Sequence, residues 1–126
     1  MRAQTFAATA IAILALGVPA HAQPQSGQTV AAIPYTTCDG SRWTVSWNGD
    51  NFYHQPERGA GHVDDHMDYR TWGGACWSAK WVDGQFYHTP KSGDYGHPDT
   101  ILNFTDWDGV PWTATRASGG WKVTRK

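Results

Sequence analysis

Aliphatic residues are scarce in this chain: beyond residue 22 it has few leucines, isoleucines or valines, and the whole sequence holds one glutamate, Glu57, and two cysteines. A helix bundle needs an aliphatic stripe on every helix, so this composition excludes one. Charge of one sign is missing too, since ten Lys/Arg face eleven Asp/Glu and leave a net charge of −1. Such a balance supplies no broad phosphate-neutralising surface, which argues against nucleic acid as a partner. No G-x-S-x-G occurs, and nothing sets two aspartates at a glycosidase separation, so no catalytic residue is assigned.

Long apolar runs are absent except near the start. Arg2 precedes the uncharged stretch Phe6 to Val18, and Ala20-His21-Ala22 offers small residues for cleavage before Gln23. Its roughly 13 residues are too few for a membrane span, which needs about 20. The expectation is a signal peptide over 1–22, a flexible tail over 23–32 and a secreted or periplasmic domain over 33–126 without a membrane span. In an oxidising compartment Cys38 and Cys76 are expected to pair, adding about 3–4 kcal/mol on the chain-entropy view.

What the chain has in abundance is rings and turns: eight Trp, five Tyr, four Phe, fourteen Gly and seven Pro. The rings recur. A shift of 34 places Trp43 on Trp77, Trp47 on Trp81 and Phe52-Tyr53-His54 on Phe86-Tyr87-His88. After one inserted residue, a shift of 35 places Gly61-His62 on Gly96-His97, Asp64 on Asp99, Trp72 on Trp107 and Trp77 on Trp112. Units over 33–66, 67–101 and 102–126 follow, each with an aromatic strand, a Trp strand and a Phe/Trp strand. Trp43, Val45 and Trp47 alternate with Thr44 and Ser46, the period of a half-buried antiparallel strand.

The fold class expected is therefore all-β: a pseudo-threefold repeat of three-stranded antiparallel units forming a small closed or nearly closed barrel or prism. An open meander is the alternative. A propeller ranks lower because each blade normally needs a fourth strand.

Both long connections read Y-H-x-P-x-x-G and then G-H-x-D. Glycine and proline in such copies follow from a shared backbone path, whereas a repeated imidazole and carboxylate do not. Ligand-binding candidates are therefore His62, Asp64, His97 and Asp99, with the rings of Tyr53, Tyr87, Trp72 and Trp107, whose strand parity places them opposite the inward rings. No cofactor is expected, although His54, His62, Asp64, His88, His97 and Asp99 are candidate metal ligands at a spacing that does not demand zinc. For His54 and His88, which share parity with the inward Phe, a bonded structural role is favoured. Asp64, Asp65, His66 and Asp68 form an acidic patch without calcium-loop order. The basic end, Arg116, Lys122, Arg125 and Lys126, reads as solvated surface.

Trp81 to Tyr87, W-V-D-G-Q-F-Y, is locally similar over seven residues to choline-binding cell-wall repeats, whose unit is much shorter; the family is not assigned. The function expected is a small module binding glycan or cell-envelope polysaccharide through its two His/Asp loops. Alternatives are a structural or inhibitory envelope protein with a protein partner, and a small metal-dependent hydrolase.

Overall fold

Alternation in the Trp strands builds sheets whose centres are sealed. Val45, Ala79 and Ala114 are fully buried at the midpoints of three seven-residue strands, with a Trp two residues before each. The computed structural model describes residues 24–92 and 95–126; the expected signal peptide lies outside them. Among the described residues there are twelve strands and no helix. They are β1 (Thr29–Val30), β2 (Ala32–Thr36), β3 (Arg42–Asn48), β4 (Asn51–Pro56), β5 (His62–Asp64), β6 (His66–Arg70), β7 (Cys76–Val82), β8 (Gln85–Pro90), β9 (His97–Asp99), β10 (Leu102–Thr105), β11 (Pro111–Ala117) and β12 (Gly120–Arg125).

The strands form three four-stranded antiparallel sheets, β2-β3-β4-β5, β6-β7-β8-β9 and β1-β12-β11-β10. This corrects the expected closed barrel of three-stranded units, because no described ladder joins one sheet to another. The reason is local. His62–Asp64 and His97–Asp99, expected as loop, turn back and pair with β4 and β8, supplying the fourth strand. Gly61 and Gly96 permit that return: a Cβ on Gly96 would sit 2.6 Å from the His88 carbonyl oxygen, and one on Gly61 would collide with the Tyr53 ring.

The third sheet takes its fourth strand from β1. Thr29 and Val30 pair with Lys122 and Trp121, Gly27 N–H donates to the Val123 carbonyl at 2.6 Å, and Val123 N–H donates to Gln28. The stretch expected as a flexible tail is thus tied down over its second half.

The two-residue turns Asp83-Gly84 and Ser118-Gly119 take positive φ at both positions, which matches the twist of the strands they join. The core lies where the three sheets face one another. Phe52, Phe86 and Trp121 are fully buried there, and the Trp121 ring stacks on both phenyl rings, with centroids 6.4 and 6.0 Å away. Ile33, Met67 and Leu102 close a second layer, also at 1% exposure or less. Full burial of each such side chain contributes about 1.5–3 kcal/mol.

Among the contacts that hold the sheets side by side, three occupy corresponding positions. The Cys38–Cys76 disulfide joins the first to the second, with Cα atoms 5.2 Å apart. Trp72 Nε1–H donates to the Trp112 carbonyl at 2.8 Å, joining the second to the third. Trp107 Nε1–H donates to the Trp43 carbonyl at the same distance, joining the third to the first.

Candidate functional site

The rings expected to be exposed are the first to be placed. Trp107 is buried at 8% exposure and Trp72 is half-buried, because each indole N–H is spent on the neighbouring sheet. Tyr53 is half-buried and donates to Gln55 Oε1, while Tyr87 stays 42% exposed; their rings lie against Gly61 and Gly96. Neither tyrosine lines either of the two cavities that hold the histidines.

The His/Asp pairs do line cavities. One, of about 290 Å³, is bounded by Tyr35, Thr37, Trp43, His54, His62 and Asp64, with Cys38, Asp39, His66 and Asp68. The other, of about 320 Å³, is bounded by Tyr69, Thr71, Trp77, His88, His97 and Asp99, with Trp72, Gly73, Ile101 and Asn103. Shifts of 34 and 35 relate all ten positions of one cavity to those of the other, and six positions keep the same residue.

The geometry agrees closely. Trp43 meets His62 edge-on with centroids 5.6 Å apart, and Trp77 meets His97 at the same distance. His54 and His62 lie 5.3 Å apart, His88 and His97 5.5 Å. β4 and β5, like β8 and β9, place the two imidazoles directly opposite in the ladder, which produces this pairing.

The inner histidines are fully engaged. His54 Nε2 lies 2.9 Å from the His66 carbonyl and must donate, so Nδ1 accepts from the Tyr35 hydroxyl at 2.8 Å. His88 repeats this with Ile101 at 2.9 Å and Tyr69 at 2.7 Å. Burial lowers both imidazole pKa values and raises those of the two tyrosines, so both pairs are held neutral. With both ring nitrogens bonded, neither His54 nor His88 has a lone pair for a metal, although both were candidate ligands.

The outer groups are less engaged, although Asp64 Oδ1 lies 3.2 Å from His66 Nδ1 and Asp64 Oδ2 4.0 Å from His62 Nε2. His62 and His97 are exposed, and Asp64 and Asp99 are half-buried. Each carboxylate also braces its own turn: Asp64 Oδ1 accepts from Asp65 N–H at 3.0 Å, and Asp99 Oδ1 from Thr100 and Ile101 N–H at 2.7 and 3.3 Å. Asp64, Asp65 and His66 bring one potential ligand atom each to within 4.8 Å of one another. His66 Nδ1 already bonds Asp65 Oδ1 at 2.9 Å, and that bond is the main cause of the lowered Asp65 pKa. This leaves His66 Nε2 as its only nitrogen for an ion.

Sequence reasoning missed Tyr35, Tyr69, Trp43 and Trp77 as cavity walls, reading the tryptophans only as members of alternating strands. They are half-buried, with one side on the core and the other on the cavity. A signal for the tyrosines was present, since unit three replaces Tyr and His together, by Phe104 and Val123. The sequence matches no protein-family model, and no curated protein or solved structure matches it significantly.

Proposed function

We propose that this chain is a small secreted binding module for glycan or cell-envelope polysaccharide, with two ligand pockets arranged around a pseudo-threefold assembly of sheets. The observation that carries this reading is the duplication itself: the same Tyr, Thr, Trp, two His and Asp line both cavities. A shared fold accounts for the buried Tyr–His pair. It does not call for an exposed imidazole beside an indole in both copies, set next to a carboxylate that also braces its own turn. That trio suits a hydroxylated ring, which stacks on the indole while its hydroxyls donate to the carboxylate and bond the imidazole. The disulfide, and the lack of any helix able to cross a membrane among the described residues, are compatible with a secreted protein.

Pull-down on insoluble polysaccharides followed by a glycan array tests the reading. Binding by the parent and its loss in a His62→Ala/His97→Ala variant with an unchanged melting temperature is the expected result. Retention of binding in that variant overturns the assignment of the two pockets.

A further inference from the structure

The two cavities differ at four of their ten positions, and three of the four differences change polarity in one direction. Where the second has Gly73, Ile101 and Asn103, the first has Asp39, His66 and Asp68. The first is therefore bounded by three carboxylates, and the second by Asp99 alone; no Lys or Arg lines either. Resting on the glycan reading, we propose that the first pocket selects a sugar carrying a free ammonium group, whereas the second takes an uncharged sugar.

Three observations point this way. Asp68 bounds the cavity with a side chain 36% exposed, and its Oδ1 has no hydrogen-bond partner among the described residues, an acceptor that a turn of the carboxylate would offer to an ammonium donor. The other oxygen, Oδ2, already attracts a cation, the Lys91 ammonium at 3.4 Å. Trp43 forms a wall of the same cavity, so a cation held there gains from the face of an indole as well as from the carboxylates. Two further cations nearby do not line the cavity: Lys80 lies 3.9 Å from Asp65 Oδ2, and Arg70 donates to the carbonyl of the wall residue Cys38. The second pocket offers the Asn103 amide in place of Asp68, which bonds hydroxyls without favouring charge.

The probes are a glucosamine tetramer and its N-acetylated counterpart, which share a backbone and differ in amine charge. Calorimetry on a His97→Ala variant, which isolates the first pocket, should give the free-amine tetramer about tenfold tighter binding, and in the parent the imidazole NMR signals of His62 should respond to it and those of His97 to the N-acetylated form. Asp68→Asn, which copies the second pocket's residue, should erase the preference, and Asn103→Asp should add a second amine-preferring site. Equal affinities at the isolated first pocket, or a preference that survives Asp68→Asn, overturn the proposal while the glycan reading stands. Binding of neither tetramer overturns it, and continued silence across the glycan array removes the glycan reading as well.

Discussion

The Tyr69 hydroxyl lies 2.7 Å from His88 Nδ1, and the pair is sealed, with Tyr69 at 2% and His88 at 4% exposure. Tyr35 and His54 repeat it in the first sheet, and the third carries Phe104 and Val123, both fully buried. The two polar groups are thus present together or absent together. His88→Val alone strands the Tyr69 hydroxyl, which should cost about 1–3 kcal/mol. Adding Tyr69→Phe should recover most of that loss. Urea unfolding of the two single variants and the double variant measures the coupling, and additive effects would contradict the pairing.

The same pairs make stability depend on pH. Burial lowers the His54 and His88 pKa values below the ordinary 6.5, so below that pH the unfolded chain binds protons that the folded one excludes. Stability is therefore complete above about pH 6.5 and falls as the solution is acidified toward the lowered folded values, by up to about 1.4 kcal/mol per pH unit for each excluded proton. Asp39 acts in a separate, lower window. Hydrogen bonds, foremost from Ser41 and then Thr37, hold its pKa at about 2, so its contribution is lost only as pH falls below the ordinary carboxylate value of 3.8. Urea midpoints measured from pH 7 to pH 5 should decline in the parent. They should decline less in a chain carrying Phe and Val at both Tyr–His pairs.

The disulfide takes a place that indole N–H groups take at the other two seams. Trp72 and Trp107 are the shifted counterparts of Cys38, and each binds a carbonyl of the adjoining sheet. Replacing both cysteines by alanine opens a loop with a sequence separation of 38 and should lower stability by about 3–4 kcal/mol. The remaining two seams should keep the fold. Circular dichroism should retain its β signature while the urea midpoint drops, and free thiols in the oxidised parent would contradict the link.

The Trp strands were legible because period-two alternation over seven residues needs no tertiary information, and Val45 and Ala79 lie where that alternation puts them. The fourth strands were not. His97-Pro98-Asp99 is three residues with a proline in the middle, too short to show a period, and it pairs only because β8 offers an open edge. Trp72 and Trp107 were misplaced for a related reason: parity places a ring relative to its own sheet and says nothing of a neighbouring sheet against its outer side. His54 and His88 lie inward as their parity suggested, whereas His62 and His97, expected in loops, sit opposite them in the ladders on the same face, in cavities that depend on sheet-to-sheet packing.

Arg116 also departs from its expected place on a solvated basic face. It is the shifted counterpart of Trp47 and Trp81, and its guanidinium carbon lies 4.0 and 5.2 Å from those two rings. The fork is fixed by Asp50 Oδ1 at 3.0 Å and the Gly49 carbonyl at 2.7 Å. Arg116→Ala should cost about 1–2 kcal/mol through lost cation–π contact and packing. Arg116→Lys should restore only part of this, since an ammonium lacks the planar fork that serves both acceptors and both rings. Thermal unfolding of the two variants provides the measurement, and full rescue by lysine would show that charge alone matters there.

His97 and Asp99 separate binding from bracing within one short strand. The imidazole is exposed and meets Trp77 edge-on, whereas Asp99 Oδ1 holds two backbone N–H groups of its own turn. His97→Ala should therefore weaken ligand binding with a stability change within about 0.5 kcal/mol, as is usual for an exposed side chain. Asp99→Ala should weaken binding and in addition cost about 1–3 kcal/mol, because two donors lose their acceptor. Asp99→Asn distinguishes the two roles: its amide oxygen can keep the turn bonds, so stability should recover, while the lost charge leaves binding impaired. Melting curves and titrations on the three variants decide the matter. A large fall in melting temperature for His97→Ala, or unchanged binding in Asp99→Asn, would mean that this strand only supports its loop.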